Sequence, residues 1–410
     1  MRLVRLDRAQ RLPRKNKSIF WGVPTGLGAI EPKDSLKAAQ LAVDEINAAG
    51  GIEVGGKKIK FEIESIDTRE VEPSLPINDA LSAIEKLLNE KKPNAIVVGA
   101  HRSEVLLSSM DLVAKYKIPY ITTIAVTPEF DKKVAKDPEK YKYFFRTTVN
   151  AISFVGNLGK QLAFIGKKFN YNKVYIMYQD VAWASGSAKG IDKFAQANGW
   201  TVVGMDAYPG GAGDFSSSLA KAKAAGAQVI VPIFDMPQSG VLVKQARSMK
   251  VPALIAGFIS PAVPGSAWKT FNGDIDGLVN YVFEPGAIPL KNIPKSAEFI
   301  KAFAKKYGEE EAANLSGHGP GPAYDTVYLL AEAIKSANSL DSDAVVAALE
   351  KTDYDGVVGK IKFNKDHQAV YSDNPSESAT SLAFQWRDGK RVVVFPENAA
   401  ESEIELPPAK

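Results

Sequence analysis

The chain is 410 residues long, with 51 lysines and arginines against 47 aspartates and glutamates, a formal charge of +4. At about 100–200 residues per domain this length predicts two or three domains or one bilobed unit. With 45% hydrophobic and 24% charged residues, disordered, collagenous and coiled-coil classes are excluded, and the absence of cysteine excludes disulfides, thiolate metal sites, iron–sulfur clusters and thiol nucleophiles together.

The charge is unevenly placed. Arg2, Arg5, Arg8, Arg11, Arg14, Lys15 and Lys17 stand against Asp7 at the start of the chain, so the remainder is close to neutral. A nucleic-acid binder would spread basic residues over a folded face with stacking groups nearby; residues 1–18 read instead as a solvated basic tail, and no nucleic-acid partner is expected. A targeting sequence needs an apolar stretch of about 7–15 residues behind its charges. None follows, so if the protein is exported its signal is not visible in this sequence. No run of about 18 apolar residues occurs, so no membrane span is predicted.

From Ile19 onward, apolar strand patterns alternate with helix patterns. IFWGVPTG (19–26) precedes a helix from Asp34, in which Leu36, Ala39, Val43 and Ile46 form one stripe. Asp34 is placed to cap that helix and Gly50-Gly51 to stop it. Strand IKFEIESID (59–67), a helix near 75–89, strand AIVVGA (95–100), a helix over 105–116 and strand IPYITT (118–123) follow. The series then restarts: strand YFFRTT (143–148), a helix over 153–168 and strand KVYIMYQD (173–180). Next come a helix over 184–198, strand 200–208, a helix over 215–225, strand QVIVPIF (228–234), a helix over 238–249, and strands ALIAGF (253–258) and 278–283. Short apolar strands between amphipathic helices predict parallel sheets covered on both faces. The expected fold class is therefore α/β, with two doubly wound parallel-sheet lobes. Residues 294–351 read as helices alone, and 357–363, 381–387 and 391–395 as late strands. The last two are joined by a hairpin signal at Asp388-Gly389, where both residues tolerate positive φ. This order assigns 19–143 plus 285–354 to lobe 1 and 144–284 plus 355–400 to lobe 2.

Catalytic and cofactor motifs are missing. Gly26 and Gly28 begin a dinucleotide-like pattern, but its third glycine position holds Glu31, whose charge would repel a pyrophosphate. There is no phosphate-cradling GxxxxGK[ST], no GxSxG elbow and no HExxH. The three histidines, His101, His318 and His367, lack ligand spacing. No cofactor, no metal and no enzymatic activity are expected. Side chains at strand ends are more informative, because ligands collect at the carboxyl ends of strands in open α/β sheets. GAHRSE (99–104) places His101, Arg102 and Ser103 there: Arg102 offers a planar fork for a carboxylate, and Ser103 a hydroxyl at a helix start. Thr123, Ala125 and Thr127 follow the next strand. In the second series Trp183 offers a flat clamp, Asp235 a partner for a cation or amide, and Phe258 an apolar wall; Glu31 and Tyr324 are weaker choices. A cleft lined this way, with no nucleophile–base pair, binds and positions a small molecule.

Four strings carry a resemblance: LAVDEINAAGGI (41–52), FFRTT (144–148), DFSSSLAKAKAAGAQVIV (214–231) and KQARSM (244–249). They resemble the type I periplasmic binding proteins, more narrowly the branched-chain amino acid and amide receptors of ABC importers, over nearly all of 19–396. The resemblance implies two lobes joined by three crossovers, a ligand between them, periplasmic location, a membrane permease as partner and a monomer. It implies that Ser103 holds a ligand carboxylate, that 124–127 adds donors with Val126 where a threonine is usual, and that Trp183 closes the cleft. Asp235 falls where the second lobe often supplies another aromatic. Where the family places an acid for the α-ammonium, this chain has Ile259 beside Ser260. The expected function is capture of a small carboxylate-bearing solute (amino acid, amide or aromatic acid) and delivery to a permease. The alternative is a cytoplasmic amide or amino-acid sensor of the same fold acting through a protein partner.

Overall fold

The computed structural model describes residues 18–72 and 75–407. The basic tail expected over 1–18 lies, apart from Ser18, outside the described residues. The first sheet contains β1 (Ser18–Thr25), β2 (Ile52–Val54), β3 (Lys57–Asp67), β4 (Ala95–Val98), β5 (Tyr120–Thr122) and β6 (Phe144–Arg146), in the order β2-β3-β1-β4-β5-β6. The second begins with β7 (Lys173–Gln179), β8 (Thr201–Tyr208), β9 (Val229–Phe234), β10 (Leu254–Ile259) and β11 (Val279–Val282). After a small hairpin, β12 (Tyr354–Gly356) with β13 (Gly359–Ile361), it is completed by β14 (Leu382–Arg387) and β15 (Lys390–Phe395). Its order is β15-β14-β11-β10-β9-β7-β8.

The central pairs are parallel, as in β1–β4, β4–β5, β7–β9 and β9–β10. Their strands are apolar on both faces: β4, β9 and β10 are buried along their whole length, because helices cover each side of such a sheet. One edge of each sheet is antiparallel, at β2–β3 and at β11–β14–β15, while the other, β6 on β5 and β8 on β7, is parallel. The chain crosses from the first sheet to the second after β6. It leaves again after β11 for the helix Pro320–Ala337, which packs on Ile30–Ala48, and returns before β14.

Three details differ from the sequence reading. YFFRTT does not open the second series: β6 pairs with β5, Tyr120 opposite Phe144, and completes the first sheet. Strand type is local, but which neighbour a strand joins is decided by packing. The helix expected from Asp34 begins at Ile30 after Ala29, and Asp34 does not cap it. Pro32 fits the first turn, where its missing N–H costs nothing, and the Asp34 carboxylate instead accepts from Ser316 N at 2.8 Å. A short β2, turned by Gly55-Gly56 with φ +56 and +73, was too short to show a period. The Asp388-Gly389 turn is as expected, with φ +47 and +80.

Candidate functional site

The carboxyl ends of β1, β4 and β5 face those of β7, β9 and β10, and a pocket lies between them. Its lining is Glu31, His101, Ser103 and 124–126 from the first sheet's loops, Trp183, Asp235 and Phe258 opposite, and Phe283 and His318 from a crossover between them. Its free space is about 20 Å³, room for about one water molecule, so the two walls are closed on each other.

The strand β4 ends under strain. Val98 has φ +69, an unusual angle for a β-branched residue, and Gly99 follows at φ +70, where a Cβ would lie 2.6 Å from the Tyr120 hydroxyl. This left-handed pair turns the chain so that the backbone N–H groups of His101 and Arg102 donate to the half-buried Glu70 carboxylate, at 3.1 and 2.8 Å. Ser103 then opens the helix Ser103–Val113. Its hydroxyl is buried, at 1% exposure for the residue, and has no hydrogen-bond partner. A free hydroxyl beside a helix N-terminus is suited to an anion.

Across the pocket, Asp235 follows β9. Its Oδ2 accepts from Arg102 Nη1 at 2.6 Å and from Trp183 Nε1 at 2.9 Å, while Oδ1 has no partner. Burial pushes this carboxyl up, but Arg102 and His101 pull it below the usual aspartate range. His101 Nε2 is 3.8 Å from the same carboxylate. Burial and the neighbouring Arg102 push the imidazole down to about 3, so at neutral pH it is uncharged. Trp183 presents ring edges to Phe258 and Phe283 at centroid distances of 6.1 Å.

Two further contacts join the lobes. Ser260 Oγ, just past β10, donates to Glu31 Oε1, and Ala182 N donates to Glu104 Oε1 at 3.0 Å. Glu31 is 1% exposed and its Oε2 has no partner; burial, reinforced by the Asp235 charge, pushes it up to about 7. At the crossovers, Glu284 accepts from Thr148 Oγ1 and Val149 N, and its Oε2 is 3.1 Å from His318 Nδ1. Burial lowers the His318 imidazole's affinity for a proton, but Glu284 more than offsets it and the net shift is upward. The other ring nitrogen is 2.7 Å from Ile124 O, so this pair ties a crossover to the pocket loop.

Of the residues singled out from sequence, Glu31, His101, Ser103, Ala125, Trp183, Asp235 and Phe258 line one pocket. Arg102 stands behind it, its guanidinium taken up by Asp235 rather than free for a ligand carboxylate. Thr123 is buried at the end of β5 with an unpartnered hydroxyl, outside the lining. Thr127 is also outside: its hydroxyl accepts from Glu129 N at 3.2 Å, at the start of the next helix. Tyr324 is outside the lining as well; its hydroxyl donates to Glu45 Oε2 and its ring packs on Phe299 and Tyr328. Sequence reasoning missed Phe283 and the Glu284–His318 pair. They sit in a crossover, and the only signal was that FEPG (283–286) follows a strand. Among the described residues no three His, Asp or Glu side chains converge as a metal site requires, and no helix is long and apolar enough to cross a membrane.

The fold and its inter-lobe pocket define a bilobed solute-binding protein. Residues 23–386 match the family model described as periplasmic binding protein, and the chain belongs to that family. It is 28% identical over 388 residues to Leu/Ile/Val-binding protein homolog 8 of Brucella abortus, covering 92% of this chain and 89% of the relative. Homolog 7 of Brucella suis is 27% identical over 383 residues, covering 91% and 90%. Among solved structures, a branched-chain amino acid transporter substrate-binding protein of Streptococcus pneumoniae superposes with TM-score 0.72 and 26% identity, covering 93% of this chain and all of that one. A putative branched-chain amino acid ABC transporter protein of Silicibacter pomeroyi has TM-score 0.79 at 21% identity, covering 95% and 99%, a likeness in fold. The family is one of solute-binding receptors, not enzymes.

Proposed function

We propose that this chain captures one small carboxylate-bearing solute between its lobes, in the periplasm, and delivers it unaltered to an ABC permease, acting as a monomer. The observation that carries the reading is the free Ser103 hydroxyl at the start of an eleven-residue helix, in the same closed pocket as two acidic side chains and an aromatic wall. Ser103 and the helix N-terminus take the carboxylate, Glu31 or Asp235 a cationic or amide group, and Trp183, Phe258 and Phe283 the apolar body. The pneumococcal neighbour is in complex with isoleucine and a Desulfitobacterium hafniense neighbour with Leu, which favours an amino acid with an apolar side chain.

In this reading the lobes are 19–143 plus 285–354 and 144–284 plus 355–400, with β6 lending its strand to the first. Binding brings them together through Arg102–Asp235 and Glu31–Ser260, and the joined form is the one a permease reads. A micromolar affinity, about −8 kcal/mol, lies within reach of a few charge-assisted hydrogen bonds and one apolar contact. A thermal-shift screen over amino acids, amides, and aliphatic and aromatic acids tests it, since a ligand of the native state raises the melting temperature. A carboxylate-bearing hit lost in Ser103→Ala supports the reading; hits confined to sugars or nucleotides overturn it.

A further inference from the structure

Two acidic side chains line the pocket, but they are not equivalent. Asp235 already has a counter-ion: Arg102 Nη1 is 2.6 Å from Oδ2, and Trp183 donates to the same oxygen. A second cation placed against it would meet the guanidinium. Glu31 has no cation bonded to it. Among the described residues its only side-chain donor is the Ser260 hydroxyl, on Oε1, and Oε2 is buried in the pocket wall with no partner. The charged groups facing it are Asp235 from beyond β9 and His318 from the segment before Pro320, with Arg102 behind Asp235 and Glu284 behind His318. These form two pairs, Arg102 with Asp235 and His318 with Glu284. Glu31 is left as the unmatched acid of the site.

We infer that Glu31 is the pocket's cation receptor, and that it gives up a proton to solvent as a ligand ammonium group takes that proton's place. This rests on the carboxylate-solute reading above and narrows it to solutes that also carry an ammonium. The step balances: a neutral carboxylic acid and an alkylammonium become a carboxylate–ammonium pair, and one proton leaves to the buffer. Burial without a counter-ion keeps the free carboxyl protonated up to a pH of about 7; the ammonium of an amino acid, titrating well above this, keeps its charge throughout. Glu31 Oε1 stays on Ser260 across the cleft, so the same side chain that senses the ammonium also joins the lobes.

The test is calorimetry on the full chain. The probes are L-leucine, L-isoleucine, L-valine and L-phenylalanine with their deaminated counterparts, in phosphate and in Tris, at pH 6 and pH 8. The inference expects an amino acid to bind with release of nearly one proton at pH 6 and almost none at pH 8, and about tenfold more weakly at pH 6. In Glu31→Gln, which keeps an acceptor for Ser260, both the proton release and the pH dependence should vanish. Amino-acid binding without proton release, or release that persists in Glu31→Gln, overturns the inference and leaves the parent reading standing. So does binding of the deaminated acids alone. If no carboxylate-bearing solute in the panel binds the wild type, the parent reading falls and this inference with it. The wild-type buffer dependence needs no variant, so a poorly folding substitution does not remove the test.

Discussion

Arg102 and Asp235 stand at the ends of strands in different sheets, yet Nη1 of one is 2.6 Å from Oδ2 of the other. The pair is nearly closed to solvent, with side chains 16% and 9% exposed, and Trp183 Nε1 shares the same oxygen. Removing one partner of such a pair leaves the other charge buried, at a cost of about 3–5 kcal/mol. That cost falls only on the form in which the lobes meet. Arg102→Met should therefore weaken binding of the best solute at least tenfold and enlarge the radius of gyration in X-ray scattering. Arg102→Met combined with Asp235→Leu should recover part of the loss, giving a coupling energy well above the about 0.5 kcal/mol expected of independent sites. Additive effects would mean the pair does not act as a latch.

Trp183 has two jobs that a pair of substitutions separates. Its ring packs edge-on against Phe154, Phe258 and Phe283, and its N–H is bonded to Asp235. Trp183→Phe keeps most of the wall and loses the donor, so affinity should fall a few-fold with little change in melting temperature. Trp183→Ala should lower affinity at least tenfold. It should also lower stability, because removal of a buried aromatic costs about 3–5 kcal/mol. Unchanged calorimetric affinity in Trp183→Ala would take the residue out of the site.

Away from the pocket, Asp325 holds the β12–β13 turn by accepting from Val357 N at 2.9 Å and Val358 N at 3.1 Å. Burial pushes its carboxyl up to about 7, from an ordinary aspartate value near 4. The folded state thus binds the proton more tightly than the unfolded chain. The protonated group favours folding below pH 4, and that contribution is lost as pH rises from about 4 to 7. Asp325→Asn should flatten this part of the stability–pH profile in chemical denaturation. An unaltered slope would show that Asp325 ionises freely in the fold.

The alternation of strands and helices was legible because it depends on local periodicity: buried runs such as VIVPIF and LIAGFI announce central parallel strands wherever they occur. The position of β6 was not, because pairing with β5 is a choice between neighbours that no window of sequence contains. Position after a strand was enough to single out Ser103, Trp183 and Asp235, which line one pocket. It could not show that Arg102 would be spent on Asp235, since their partnership spans 133 residues. Tyr324 was one of the weaker choices; a helix has several faces, and this one turns the hydroxyl to Glu45. Tyr324→Phe should accordingly leave solute affinity within twofold while costing about 1 kcal/mol of stability for the lost hydrogen bond. A large loss of affinity would place Tyr324 in the site after all.

The most direct measurement is a crystal structure of the chain grown with the solute that most raises its melting temperature. Density for one intact solute should lie between the sheets, its carboxylate against Ser103 and the start of the helix Ser103–Val113, its apolar body against Trp183 and Phe258. A solute bound outside the inter-lobe pocket, or one found chemically altered within it, would contradict the account.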